Sequence, residues 1–239
     1  MPEVVKDVKG NRCERMTTKD MKFKIYFATS NDHKVAEVQA IVKEFGIIVE
    51  KLNLDKEEDK EKSIENVAVI NAEKFSRKYK LPVVVEDTGF FFNEYDNFPG
   101  SNPKMVFSQI GYKGLLKLLE NEHNRAAEFR SAVAFSNGNE TKLFTGRLSG
   151  FITTKPEGEN LDVMPYERIF VVDGQEKPIC FLSREEKNKI SHRSQAFKEL
   201  AKWLAASRGL SPQKEIVASV PDDSGLPDNE SWKTNNDIY

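Results

Sequence analysis

No apolar run in this chain approaches the roughly 20 residues that a membrane-spanning helix requires. The opening residues also carry no apolar core of the secretory type. A membrane protein or an exported one is therefore not expected. Cysteine is nearly missing, with only Cys13 and Cys180 in 239 residues. Cys13 lies in a polar, charged stretch, so a structural disulfide is not expected and a reducing cytoplasm fits. Charge of one sign is not in excess: 36 Lys and Arg stand against 38 Asp and Glu, a net charge of −2. A general nucleic-acid binder would show a strong basic surplus. The Gly-x-x-x-x-Gly-Lys-Ser/Thr spacing of a P-loop is absent, and no internal repeat is visible.

What is present suffices for one large domain or two small lobes. Residues 1–21 are charged and without apolar periodicity, and read as a flexible extension. A core domain is expected over 22–207 and a disordered, Ser-, Pro-, Asp- and Asn-rich tail over 208–239. Inside the core, Lys24 to Ala28 reads as a short strand. Val35, Val38, Ile41, Val42 and Phe45 then recur at helical spacing, and Gly46 closes that helix. Ile47 to Leu54 reads as a second strand and Ser63 as the start of a second helix. Val83-Val84-Val85 reads as a strand buried on both faces. This alternation predicts crossover connections and a partly parallel sheet. Further on, the pattern predicts a helix around Tyr112 to Glu120 and paired strands over 129–136 and 142–153. Asn137-Gly138 marks the turn between them. A strand over 169–172 and a last helix from Arg193 to about Ala206 complete the core.

Four constellations could carry chemistry. Thr29-Ser30-Asn31-Asp32-His33-Lys34 joins a strand to a helix and offers hydroxyl, amide and backbone donors with a lysine one turn in. Such a loop receives phosphates in many α/β proteins, and equally it could simply cap the helix through Thr29 or Asn31. Glu86-Asp87-Thr88-Gly89 follows the valine run. A carboxylate there could hold Mg²⁺ or take a proton from water, or the segment could be a plain turn. Glu57 and Glu58 could complete a hard-oxygen site. Phe98-Pro99-Gly100 could aim Lys104. Finally, Lys187, Ser191, His192 and Arg193 lie within seven residues ahead of a helix, which suits an anion but also describes a solvated charged turn. Cations for a polyphosphate and carboxylates for a metal and a water are the equipment of phosphoanhydride hydrolysis.

The motifs Thr29-x-Asn31-x-x-Lys34-x-x-Glu37, Glu86-Asp87-Thr88-Gly89, Phe98-Pro99-Gly100 with Lys104, and Glu186-Lys187-Asn188-x-x-Ser191-His192-Arg193 occur in order. Through them the chain resembles the inosine triphosphate pyrophosphatase family, also called HAM1-like, from about Phe23 to Leu204. It is most similar to archaeal members, through Tyr26-Phe27-Ala28-Thr29 and through Phe90-Phe91 after the acidic motif. The resemblance implies an α/β fold of two lobes around an elongated mixed sheet with flanking helices, a nucleotide cleft between the lobes, and a homodimer. It implies Mg²⁺-dependent cleavage of the deaminated purine nucleoside triphosphates ITP, dITP and XTP to monophosphate and pyrophosphate, which cleanses the cytoplasmic nucleotide pool. By position, Thr29, Ser30, Asn31, Asp32, His33 and Lys34 would bind the triphosphate. Asp87 would be proton acceptor and metal ligand, Lys34 would share in catalysis, and Glu58 or its neighbour Glu57 would be the second metal carboxylate. Thr88, Lys104, Lys187, His192 and Arg193 would contact substrate.

One segment departs from the family. Where the family carries Phe-Gly-(Tyr or Trp)-Asp-Pro-x-Phe to read the base, this chain has Met164-Pro165-Tyr166-Glu167-Arg168-Ile169-Phe170. Met164 stacks less well on a ring than phenylalanine, and Glu167 lengthens the acidic arm by one methylene. The alternative expectation is therefore a nucleotide-binding relative with lost or redirected activity.

Overall fold

The computed structural model describes residues 4–6, 12–14, 23–54, 63–96 and 98–209. Two short strands near the start, β1 (Val4–Lys6) and β2 (Arg12–Glu14), pair antiparallel with each other. The main sheet starts at β3 (Phe23–Ala28). Helix α1 (Asp32–Val42) follows and ends in a 3₁₀ turn, Lys43–Phe45, where Gly46 takes the left-handed conformation at φ 68°. That is the stop expected of a glycine there. Strand β4 (Ile47–Leu52) runs parallel to β3 and ends two residues earlier than the sequence pattern predicts. Helix α2 (Ile64–Tyr79) is capped by Ser63, whose hydroxyl accepts from the Asn66 N–H at 3.3 Å.

Strand β5 (Val83–Phe92) is the spine of the fold. The sequence suggested that the strand gives way to an acidic end or turn after the valines. Instead it continues through Glu86-Asp87-Thr88-Gly89, because β7 (Ala126–Ser136) pairs with it antiparallel along its whole length, from Val83 opposite Ser136 to Phe92 opposite Ala127. On its other edge β5 pairs parallel with β3 only over Val83 to Val85. Short β6 (Pro99–Gly100) then joins at Phe90 and Phe91. Among the described residues no strand covers that edge from Glu86 to Gly89. The sheet order is β4-β3-β5-β7-β8-β9, with β8 spanning Thr141–Ile152 and β9 Phe170–Val172.

Helix α3 (Pro103–Leu118) begins nine residues before the predicted Tyr112. Pro103 sits at its first turn, and Gly111 (φ 58°, ψ −169°) interrupts it, so two helical segments meet at that residue. The charged run after Ser183 is a short helix, α4 (Arg184–Ile190), closed by a reciprocal cap between Ser183 and Glu186. Helix α5 (His192–Gly209) follows.

Three apolar clusters fix this arrangement. Val38 and Val42 of α1 and Ala196, Phe197, Leu200 and Leu204 of α5 pack on Ile25, Phe27, Val84 and Val133. Ala68, Ala72 and Phe75 of α2 pack on the opposite sheet face, against Val83, Val85, Ala132 and Ala134. The third cluster gathers Phe90, Phe92, Leu115, Leu119, Tyr166 and Phe170 at the far end of the sheet. No helix among the described residues is long and apolar enough to cross a membrane.

Candidate active site

The approach of α5 to the sheet sets one wall of the site. Gly146 of β8 lies directly under the first turn of α5. A β-carbon there would fall 1.9 Å from the His192 carbonyl oxygen and 3.0 Å from the Ala196 nitrogen. Only a residue without a side chain lets the helix start sit this low. Gly146 pairs with Ser131, and Ser131 with Thr88, so the start of α5 stands over the row that leads to the acidic motif of β5. The His192 ring stacks on Phe129 with centroids 5.3 Å apart and 11° between the planes. Its Nδ1 is buried with no hydrogen-bond partner among the described residues. Burial, and then the neighbouring Arg193 charge, lower its pKa to about 3, so the ring is neutral at physiological pH.

Alternation along β5 sends adjacent carboxylates to opposite faces. Glu86 shares the α1–α5 face with Val84, and it is 1% exposed. Its Oε1 accepts from Arg193 Nε at 2.7 Å, the Ser131 hydroxyl at 2.9 Å and the Thr88 hydroxyl at 3.1 Å. Its Oε2 faces Lys34 Nζ at 3.1 Å. Burial alone would raise the Glu86 pKa, but the charges of Arg193 and Lys34 outweigh it and hold the carboxyl well below the usual range. Arg193 also donates to Glu37 at 2.8 Å from its second nitrogen and is raised further above its ordinary value by the two carboxylates, against the effect of burial.

Asp87 points to the α2 face, with Val83 and Val85, and is half-buried. Lys34, Arg193, Glu86, Thr88 and Asp87 thus surround the stretch of β5 that neither β3 nor β6 covers. A ligand at that edge can reach both faces of the strand. The candidate metal carboxylates Glu58 and Glu57 lie outside the described residues. Among the described residues no group of three or more His, Cys, Asp or Glu gathers around one point.

The loop before α1 behaves as the capping chemistry of its sequence predicts. Asn31 Oδ1 accepts from the His33 and Lys34 N–H groups at 2.9 and 3.3 Å, and the Thr29 hydroxyl accepts from the Asn31 N–H at 3.2 Å. Asp32 pairs with Lys51 at 2.6 Å, and the hydrogen bond from that lysine lowers its pKa. Ser30 on the loop and His33 in the first turn of α1 are exposed. Capping and phosphate binding are compatible here, since the cap aims the loop and holds Lys34 toward β5.

The other predicted residues assemble around the 3₁₀ turn Pro165–Arg168. Met164 is exposed at its edge, and Tyr166 is buried against Phe90 with ring centroids 4.8 Å apart. Burial raises the Tyr166 pKa, and its hydroxyl donates to the Pro103 carbonyl at 3.0 Å. Tyr112 donates to the Pro165 carbonyl at 2.9 Å. These two bonds tie the turn to α3, whose exposed Lys104 follows Pro103. Glu167 pairs with Lys187 of α4 at 2.6 Å.

The sequence gives Glu86 and Glu37 only as members of motifs, without a role, and does not point to Ser131, Phe129 or Gly146. Glu86 carried a usable signal, an ionisable residue directly behind three valines in a doubly buried strand. Ser131, Phe129 and Gly146 carried none, because their roles depend on strand register and on where α5 docks.

The Ham1 family profile matches residues 25–203. The chain is 40% identical over 181 residues to a dITP/XTP pyrophosphatase of Methanopyrus kandleri, covering 75% of this chain and 95% of that protein. It is 36% identical to a dITP/XTP pyrophosphatase of Thermococcus kodakarensis, covering 76% and 97%. Among solved structures, it resembles a nucleoside-triphosphatase / dITP/XTP pyrophosphatase from Mycobacterium abscessus at 28% identity and a TM-score of 0.60, covering 74% of this chain and 98% of the other. A HAM1 protein from Coxiella burnetii shares the fold at a TM-score of 0.65 and 24% identity, covering 77% and 99%.

Proposed function

The chain belongs to the Ham1 family, and on that premise we propose that it is a nucleoside triphosphate pyrophosphatase acting on dITP, XTP and ITP. The observation that supports this best is the convergence of Lys34, Arg193, Thr88 and Asp87 on one uncovered stretch of strand, in a chain 40% identical to a protein of that activity. In this reading the triphosphate lies along the Thr29–Lys34 loop, with Lys34 and Arg193 opposing its charge and Thr88 and Lys104 holding it in place. Asp87 takes a proton from water, the water oxygen attacks the α-phosphorus, and the α–β phosphoanhydride bond breaks with pyrophosphate as leaving group. Neutral His192, stacked on Phe129, lines the pocket as a hydrogen-bonding wall rather than as a cation.

Mg²⁺ suits this donor set. The ion needs only one or two protein carboxylates, with substrate phosphates completing its shell. Asp87 would hold it together with Glu58 or Glu57, and bound there it would neutralise phosphate charge. The 22–207 domain forms two lobes with the nucleotide cleft between them and works as a homodimer in the cytoplasm. Met164 to Glu167, with Lys187, faces the purine.

A second reading keeps the reaction and shifts the base preference. The Lys187–Glu167 pair at 2.6 Å favours it, because it occupies the acidic group that would otherwise be offered to the base.

The test is release of pyrophosphate against orthophosphate from dITP, XTP, ITP, GTP and ATP, with Mg²⁺ and with chelator. Mg²⁺-dependent pyrophosphate from the deaminated purines supports the first reading. Release from another nucleotide supports the second. Failure of a folded, nucleotide-binding protein to release pyrophosphate from any of them overturns both.

A further inference from the structure

We infer that Glu86 is the positioning residue of the phosphate subsite, a buried carboxylate that holds Lys34 with one oxygen and Arg193 with the other. The inference rests on the pyrophosphatase reading above and adds to it a residue that would touch no substrate.

Three observations carry it. First, a fully buried carboxylate is hard to justify by stability alone, since a well-packed apolar residue in its place commonly serves as well or better. Glu86 has Val84 and Val133 as apolar neighbours on its own face and in its own pair, so an aliphatic side chain would suit the surroundings. Second, its partners come from four elements. Thr88 on β5 and Ser131 on β7 fix Oε1 from within the sheet, while Arg193 arrives from α5 and Lys34 from α1. The two hydroxyls leave the carboxylate little freedom, so the cations it holds inherit the sheet's rigidity. Third, Lys34 and Arg193 would repel each other at this spacing. A shared counter-ion makes it possible to present both at one site before any substrate arrives, and charge stabilisation that is organised in advance is the effective kind.

The role predicts a specific pattern of kinetics. Glu86→Gln should lower kcat/KM for dITP by about 10²-fold, the scale on which misplacement of a charged group by about 1 Å is felt. Because part of the loss passes through Lys34, adding Glu86→Gln to Lys34→Met should cost clearly less than Glu86→Gln costs the unmodified enzyme, the remainder being the share that passes through Arg193. A residue that merely supports the fold would give losses that multiply in the double variant, and that result would overturn the inference. Ser131→Ala, which removes one donor to the carboxylate, provides the same cycle should Glu86→Gln not fold. Its loss should likewise shrink in the Lys34→Met background, and persistence there in full also counts against the role.

A second measurement does not need turnover. Acetic anhydride labelling, read by mass spectrometry, should modify Lys34 several-fold faster in Glu86→Gln or Ser131→Ala, with Lys24 unchanged as an internal reference. Unchanged Lys34 labelling would sink the inference even in an active enzyme. A wild-type protein that releases no pyrophosphate but shows the Lys34 change would sink the functional reading and leave Glu86 as the organiser of the cation pair.

Discussion

The two ends of the candidate site are built differently. At the proposed phosphate end, Arg193 is 17% exposed, reaches two carboxylates, and stands on a helix start pressed against a glycine. At the proposed base end, Met164 is 47% exposed, and Lys187 and Glu167 meet as a part-buried pair. The first is fixed through a buried carboxylate of the sheet; the second centres on a 3₁₀ turn held to α3 by two tyrosine hydroxyls and to α4 by one ion pair. The difference fits the chemistry proposed for each. A triphosphate is the same in every substrate, so its cations can be set rigidly, whereas base preference can drift through a few side chains on a turn.

The largest effect should come from Asp87→Asn. Loss of a general base costs about 10²–10⁴-fold in rate. We expect kcat to fall within that range or below it, with the thermal midpoint nearly unchanged, as read by pyrophosphate release and calorimetry. Retained activity would remove Asp87 from the reaction and erase the distinction between the ends.

Gly146→Val should be next. The added atoms would overlap the His192 carbonyl, so α5 must lift from β8. Overpacking of this kind costs about 1–3 kcal/mol. Urea unfolding should show that loss, and kcat/KM of the folded protein should drop as well, because His192 and Arg193 move with the helix. A loss of stability with unchanged kcat/KM would show that the phosphate end tolerates displacement.

Acid should act on the phosphate end first. His192 is depressed to about 3 in the folded protein, against about 6.5 when unfolded. Below pH 6.5 the unfolded chain therefore binds a proton that the folded one refuses, and stability falls as pH drops toward 3, by at most about 1.4 kcal/mol per unit from this group. Glu86, held well below its ordinary range, adds to the loss once pH passes below the usual carboxylate region. Urea midpoints from pH 7 to 4 should show the slope, and His192→Gln should flatten its upper part.

The smallest effects belong to the base end. Met164→Phe with Glu167→Asp should raise activity on ITP by about 2–10-fold, the worth of one aromatic stacking contact. An unchanged order of preference among ITP, XTP and GTP would show that this turn does not read the base.

The helices and most strands were legible because their periods were clean: valines for β5, three- and four-residue spacing for α1 and α5. The acidic motif was found but misplaced. Asp-Thr-Gly is good turn chemistry, yet the pairing partner β7 and the apolar Phe90-Phe91-Phe92 beyond it keep the strand going. The first half of α3 was hidden because Gly111 breaks the period at the point where the two segments meet. Lys34, Asp87, His192 and Arg193 could be named as candidates from motifs that resemble those of the family. What joins them could not, since Ser131 and Gly146 lie on strands whose register only the folded sheet decides.

Glu86 and Asp87 are neighbours in the chain, yet the pleat of β5 separates them as two sides of a wall. One side is sealed and saturated with donors, and the other is half open. Moving β5 by a single residue against β7 would flip both, sending Glu86 to the half-open face and Asp87 to the sealed one. The strand register therefore acts as a reading frame for the chemistry. A one-residue insertion or deletion among the valines of β5 would not simply weaken the sheet; it would turn each acid to the other face while leaving every side chain of the motif in the sequence.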